Sequence, residues 1–253
     1  MKIARVRHGN GISFAVIEGN EAAELDGPPL GDLRFTGGRL PLDQCKLLAP
    51  VLPSKIVAIG KNYHDHAAEM GGEVPDAPLL FLKPSTAVIG SGEVIRKPHG
   101  LQRLDHEAEL VIVIGGLVRN ADEATASEGI LGYTCGNDVS ARDYQYGDGQ
   151  WTRGKGFDTF CPLGPWIETD VDADNLRIRS RVNGEVRQDA STKDLVFGPA
   201  FLVSYVSRIM TLLPGDVIMT GTPAGVGPME PGDEVEVEIE GIGVLANTVE
   251  AAG

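Results

Sequence analysis

The stretch Asp105-His-Glu-Ala-Glu-Leu-Val-Ile-Val-Ile-Gly115 constrains the fold more than any other part of the chain. Leu110 to Ile114 is wholly apolar and rich in β-branched residues, and Gly115-Gly116 ends it. That is the pattern of a strand buried on both faces. Glu107 and Glu109 stand two residues apart at its entrance, so in an extended chain they point to the same side. Two carboxylates aimed together at the mouth of a buried strand repel each other, and a divalent cation with oxygen ligands is the economical partner. The bland alternative is a solvated strand face, because exposed Glu is the norm. Glu234, Glu236, Glu238 and Glu240 read as such a face: after them the chain turns at Gly241-Ile242-Gly243, whereas after Glu109 it enters a core.

A third acid strengthens the metal reading. The apolar run Ile130-Leu-Gly-Tyr-Thr-Cys-Gly136 reads as another strand and delivers Asn137-Asp138. The following Val139–Gln145 is expected to be helical, which would put Asp138, Arg142 and Gln145 on one face as an acid, a guanidinium and an amide. The plainer reading of Asp138 is a helix-dipole partner. Upstream, Lys61-Asn-Tyr-His-Asp-His-Ala-Ala-Glu-Met70 runs into Gly71-Gly72, which would stop a helix. If residues 64–70 are helical, His66 and Glu69 sit one turn apart. A carboxylate that orients an imidazole makes a water-activating pair, although such spacing also arises on any exposed helix. Lys83, after the apolar Leu79-Leu-Phe-Leu82, is either a cation placed near the acids or a strand-end Lys in water. Residues 151–165, with Lys155 and Asp158 flanked by Trp151, Phe157 and Phe160, read as a glycine-broken polar loop and not a helix. Thr220-Gly-Thr-Pro-Ala-Gly-Val-Gly227 lacks the Gly-Lys-Ser/Thr ending of a phosphate loop, but its backbone N–H groups could hold a carboxylate.

The remaining pattern is β-rich. Residues 2–6 and 12–18 suggest a hairpin around His8-Gly-Asn-Gly11, with His8 simply exposed, and 21–25 a third strand. The stretch from Gly27 to about residue 50 looks irregular. Val88-Ile89 and Val94-Ile95 suggest a hairpin, and Asp122 should cap a short helix over Glu123 to Glu128. Asn183-Gly184 marks a tight hairpin within 176–188, and Pro199 should open an amphipathic helix reaching about Leu212. Many strands, few helices and no regular βα alternation argue for a mixed, mostly-β fold. The expected division is a small β-rich N-terminal domain, 1–50, and a main domain, 51–253. A net charge of −14 disfavours nucleic acid and anionic membranes as partners. No run of 18 apolar residues and no leader pattern is present, and three dispersed cysteines without CxxC spacing read as reduced thiols, so the expected setting is cytoplasmic.

Five linked motifs carry a resemblance: Gly60-x-Asn62-Tyr63-x-x-His66-x-x-Glu69, Glu107-x-Glu109, Asn137-Asp-Val-Ser-x-Arg142-Asp-x-Gln145, Lys155-x-Phe157 and Thr220-Gly-Thr-Pro-x-Gly225. In order and spacing, over about residues 53–250, the chain resembles the fumarylacetoacetate hydrolase (FAH) superfamily. The resemblance implies the family's β-sandwich roll, usually as a homodimer, with Mg²⁺ or Mn²⁺ on Glu107, Glu109 and Asp138. It implies a small anionic 2-oxo or 2-hydroxydienoic acid as substrate, its carboxylate held by Thr222 and neighbouring backbone such as Gly221, with Arg142 and Gln145 on the enol or keto group. Lys155 would act on the reacting oxygen or on a water at the metal, and His66 and Glu69 would ride on a lid and activate water. Gly156 departs from the Ser that many members carry after this Lys, which puts substrate positioning in question there. Two activities follow: C–C cleavage of an acylpyruvate or oxaloacetate by hydrolysis or decarboxylation, or isomerisation of 2-hydroxyhepta-2,4-diene-1,7-dioate in aromatic catabolism. A non-catalytic acid binder is the third possibility, and the intact acids and Lys155 argue against it.

Overall fold

A computed structural model describes residues 1–9 and 11–253. Its centre is the strand Ala108–Ile114, every residue of which is buried. It pairs antiparallel with Ile130–Asn137 on one side and Val217–Met219 on the other. The alternation of its side chains divides the core. Val111 and Val113 pack with Ile56, Leu163 and Met219. On the other face, Ala108 and Leu110 pack with Ile178, Val237 and Leu245, while Ile112 and Ile114 pack with Leu202, Val203 and Val206. Glu107 and Glu109 share the parity of Val111 and Val113, so one face of the strand passes from acids to core within four residues.

This strand lies in a twelve-stranded sheet. Beyond Ile130–Asn137 come Cys161–Glu168, Lys2–His8, Gly11–Glu18, Glu21–Leu25 and Phe35–Pro41; beyond Val217–Met219 come Ile56–Gly60 and the edge strand Leu79–Lys83. The N-terminal strands are thus continuous with the main sheet, through Lys2 opposite Glu168 and Ile3 opposite Ile167. A five-stranded sheet (Glu185–Ser191, Arg177–Val182, Glu234–Ile239, Gly243–Ala251, Val94–Lys97) covers part of one face, making a β sandwich. A three-stranded sheet joins Ser140–Ala141, Leu104–His106 and Gly227–Pro228. The helices are short: α1 (His64–Glu69), α2 (Glu123–Glu128), α3 (Arg142–Gly147), α4 (Thr152–Lys155) and α5 (Pro199–Ile209). None is long and apolar enough to cross a membrane.

Local chemistry explains most of these elements. Asp122 caps α2 by accepting from the Thr125 N–H at 2.9 Å. Asn183 and Gly184 both adopt positive φ, 54° and 79°, which the two-residue hairpin turn requires. Several expectations are corrected. The stretch after Gly27 is not irregular throughout: Phe35–Pro41 and Lys46–Leu48 are strands, stabilised by pairing with Glu21–Leu25 and Lys2–His8. Val88–Ile89 and Val94–Lys97 do not form a hairpin; each is captured by a distant strand in parallel pairing. Thr152–Lys155 is one helical turn despite its glycine. Val139 to Ala141 is extended, so the helix starts only at Arg142 and Asp138 precedes it. His8 is not simply exposed; its Nε2 lies 3.2 Å from Ser13 Oγ and 3.3 Å from Glu24 Oε1. Asn10, which the expected hairpin turn includes, lies outside the described residues.

Candidate active site

Two backbone ladders bring the three acids together. Asp138 N–H donates to Glu107 O at 2.9 Å, and Asn137 Oδ1 accepts from Glu107 N–H at 3.0 Å, so the ends of the two central strands are locked in register. One oxygen from each of Glu107, Glu109 and Asp138 lies within 4.8 Å of the others, and all three residues are buried.

Three buried cations serve this cluster. Lys155, at the end of α4, donates to Glu107 Oε2 at 2.7 Å and to Asp138 Oδ2 at 2.6 Å. Lys83, 1 % exposed, donates to Asp138 Oδ1. Of the two readings its sequence allowed, it is the placed cation. Arg142 holds Glu107 Oε1 at 2.7 Å, Asp105 Oδ2 at 2.8 Å and Gln145 Oε1 at 2.7 Å. Burial pushes the Glu107 carboxyl up, but Lys155 and Arg142 outweigh it and hold that group below the ordinary carboxylate range. Glu109 differs. Among the described residues it accepts only the Gly221 N–H, at 2.7 Å, and burial together with Asp138 and Glu107 drives its proton affinity well above normal. Among the described residues, one of the three converging carboxylates therefore has no cation of its own. The donor set fits a hard divalent ion bound by oxygen, which would supply the counter-charge that Glu109 lacks.

The other expected residues surround a cavity of about 210 Å³ whose wall includes His66, Arg142, Gln145, Lys155 and Thr222. His66 and Glu69 meet as the helical spacing suggests, Nδ1 to Oε2 at 3.2 Å. Glu69 Oε1 also accepts the Gly225 N–H at 3.0 Å, which fastens α1 to the Thr220–Gly227 loop. The Thr222 hydroxyl is committed on both sides, donating to Ala108 O at 2.8 Å and accepting from Gln188 Nε2 at 2.7 Å. Its backbone N–H has no acceptor among the described residues. Gly221 spends its N–H on Glu109 and sits at φ +102°, where an added Cβ would come within 2.8 Å of Asn62 Cβ. A Cβ at Gly156 would lie 2.5 Å from Thr152 O and 3.2 Å from Pro84 Cδ, so glycine here follows first from the close approach to the Thr152 carbonyl at the end of α4 and then from Pro84.

Sequence reasoning passed over Gln188 and Asp105. Gln188 is buried in the hairpin of the five-stranded sheet, accepting from Ala108 N–H at 3.0 Å and donating to Thr222 and to Pro223 O, each at 2.7 Å. A glutamine in an alternating polar strand carries no signal of that role. Asp105, directly before the Glu-x-Glu motif, was legible only as one more acid; it holds Arg103 as well as Arg142.

Residues 55–250 match the fumarylacetoacetate (FAA) hydrolase C-terminal family, and residues 1–50 match the Rv2993c-like N-terminal family. Protein Rv2993c of Mycobacterium tuberculosis is 51% identical over 263 residues, covering 100% of this chain and 99% of that protein. The crystal structure of 5-carboxymethyl-2-hydroxymuconate delta-isomerase from Mycobacterium smegmatis is 49% identical, superimposes with a TM-score of 0.95 and covers 100% of both chains. Maleylpyruvate hydrolase from Sphingobium sp. SYK-6, solved with manganese(II) and pyruvate, is 32% identical with a TM-score of 0.82, again over 100% of both chains. By fold and by sequence, the chain belongs to the fumarylacetoacetate hydrolase superfamily.

Proposed function

We propose that the protein is a divalent-metal-dependent enzyme that cleaves a C–C bond, by hydrolysis or decarboxylation, in a small 2-oxo acid such as an acylpyruvate or oxaloacetate. Glu107, Glu109 and Asp138 would hold Mg²⁺ or Mn²⁺. The observation that supports a metal-assisted 2-oxo acid reaction is the cavity whose wall holds the three acids, Lys155 and His66, with Glu69 orienting His66 from behind; that pair serves cleavage and isomerisation alike, and the manganese and pyruvate of the Sphingobium relative weigh toward cleavage. When bound, the ion would supply positive charge at the oxygen of the 2-oxo group, where negative charge accumulates as the adjacent bond breaks.

The protein's own groups divide the rest of the work. The free Thr222 N–H takes the substrate carboxylate, and its locked hydroxyl keeps that N–H aimed. Arg142, fixed by Asp105 and Glu107, and Gln145 orient the keto or enol group. The Lys155 ammonium offers its charge and proton to the reacting oxygen. His66, oriented through Nδ1 by Glu69, accepts a proton from the attacking water. The Glu69–Gly225 contact ties α1, which carries His66, to the Thr220–Gly227 loop, and closing of that segment over bound substrate would exclude bulk water. A cytoplasmic homodimer is the expected form.

The manganese and pyruvate in the Sphingobium relative support this chemistry. The name of the Mycobacterium smegmatis relative favours a second reading, isomerisation of a 2-hydroxydiene-dioate, in which a proton moves and no bond to water forms. Ultraviolet decay of the oxaloacetate and acetylpyruvate chromophores, with Mg²⁺ or Mn²⁺ and with excess chelator, separates the two. Chelator-sensitive decay with release of pyruvate is expected. Decay without pyruvate from either compound would transfer the assignment to the isomerase.

A further inference from the structure

The strand Glu185–Ser191 is the outer edge of the five-stranded sheet. Glu185, Val186, Arg187 and Asp189 are exposed, yet Gln188 among them is only 1 % exposed. A β bulge produces this. Val182 pairs with Glu185 and Arg181 with Val186, but Ser180 pairs with Gln188, so Arg187 is one residue more than the partner strand can match. Without the extra residue Arg187 would stand opposite Ser180, and Gln188 would fall on the outer face. The bulge gives up regular pairing at one point and turns one amide side chain inward.

Burying an amide is costly unless its polar atoms find partners, and those of Gln188 all do. Its Oε1 accepts from Ala108 N–H at 3.0 Å, and its Nε2 donates to Thr222 Oγ1 and to Pro223 O, each at 2.7 Å. Ala108 lies between Glu107 and Glu109, and Thr222 and Pro223 belong to the loop that supplies Thr222 to the cavity wall. One side chain of the second sheet thus ties the acid-bearing strand to that loop. The bulge itself is seated on the same loop. A Cβ at Gly225, where φ is +98°, would fall 2.2 Å from Arg187 O and 3.2 Å from Gln188 Cγ.

We propose that Gln188 is a positioning residue for the substrate carboxylate: it sets the distance between the three acids and the Thr222 N–H, and the bulge at Arg187 aims it. This rests on the reading of the cavity as a 2-oxo acid site, in which one small molecule meets the ion and the Thr222 N–H together. Without Gln188 the loop is no longer held to the acid-bearing strand by this side chain, and the N–H loses its aim. The acids, joined through their own strands, keep their arrangement. A misaimed N–H forfeits one hydrogen bond to a charged group, which corresponds to roughly a tenfold to hundredfold loss of affinity.

The test is calorimetric binding of Mn²⁺, and then of pyruvate and of acetohydroxamate to the Mn²⁺-loaded protein, in wild type, Gln188→Met and Gln188→Glu. Acetohydroxamate chelates the ion through two oxygens but carries no carboxylate. Met keeps the length of the side chain without its polar atoms. Glu keeps the acceptor for Ala108 N–H and removes both donations to the loop. Measured below the melting temperature of each variant, pyruvate affinity is expected to fall at least about tenfold in both. Affinities for Mn²⁺ and acetohydroxamate are expected to stay within about threefold of wild type in Gln188→Met. Pyruvate binding that survives both substitutions, or pyruvate and acetohydroxamate affinities that fall together, overturns the role of Gln188 alone. A wild type that binds acetohydroxamate and not pyruvate overturns it together with the 2-oxo acid reading.

Discussion

Two stretches of this chain alternate glutamate with apolar residues, and they end in opposite environments. In Glu107-Ala-Glu109 the carboxylates point into the fold, where three acids share two lysines and an arginine and one carboxylate is left over. In Glu234–Ile239 the carboxylates stand on the outer face of the five-stranded sheet, opposite Arg179 and Arg181 of the paired strand. There Arg181 reaches Glu238 at 2.6 Å and Glu236 at 3.7 Å, in contact with water. The period-two pattern is the same in both. The difference lies in which layer covers the face and whether each charge meets its own counter-charge. A surface ladder is neutralised pair by pair and contributes little; a buried cluster with unequal charge is poised to take up a cation.

Removing a carboxylate from each region should separate them most widely. Asp138→Ala leaves the Lys83 and Lys155 ammoniums buried without their shared partner, so a stability loss of about 3–5 kcal/mol is expected in urea titrations, along with loss of Mn²⁺ binding by calorimetry. An Asp138→Ala variant that still binds Mn²⁺ would remove the distinction between the two regions. His66→Ala sharpens the comparison from the catalytic side. It should slow hydrolysis or decarboxylation by about 10²–10⁴ and affect enol–keto conversion far less, as measured on one substrate in both assays. Equal losses would mean that His66 does not serve water.

Glu109→Gln probes the leftover charge. In the metal-free protein it should leave stability within about 1 kcal/mol of wild type, because Gln removes a charge that burial and its acidic neighbours disfavour, while Mn²⁺ affinity falls at least about tenfold. On the ladder, Glu238→Ala should cost less than about 1 kcal/mol and leave metal binding untouched. The smallest effect belongs to Asp189, held down to about 2 by hydrogen bonds from Arg177 and then Arg179. A carboxyl whose folded pKa is depressed stabilises the fold above its unfolded value, near pH 4, and loses that contribution as pH falls toward 2. At this exposed site it amounts to less than about 1 kcal/mol, and Asp189→Asn should flatten that portion of the pH–stability curve.

Much of this was legible in the sequence because it rests on local rules. The Asp122 cap, the Asn183-Gly184 turn, the one-turn spacing of His66 and Glu69, and the buried run after Glu109 each follow from residues near one another. What escaped depends on distant partners. Phe35–Pro41 contains two glycines and becomes a strand only through Glu21–Leu25. Val88–Ile89 and Val94–Lys97 are too short to declare which strands will take them. Lys83 and Gln188 have environments set by segments tens of residues away, so their spacing carried no message about them.

The strand order also bears on when the site can exist. Glu107, Glu109 and Asp138 leave the ribosome well before Val217–Met219, the strand that flanks Ala108–Ile114, and before Gly221, whose N–H fixes Glu109. Closing a contact between segments more than a hundred residues apart is slow relative to local structure. Before that contact closes, the three acids would lack the fixed spacing that the folded strands give them. If the acids hold a metal as proposed, tight capture would wait until the last third of the chain has docked, and the choice of metal would be made by the finished protein.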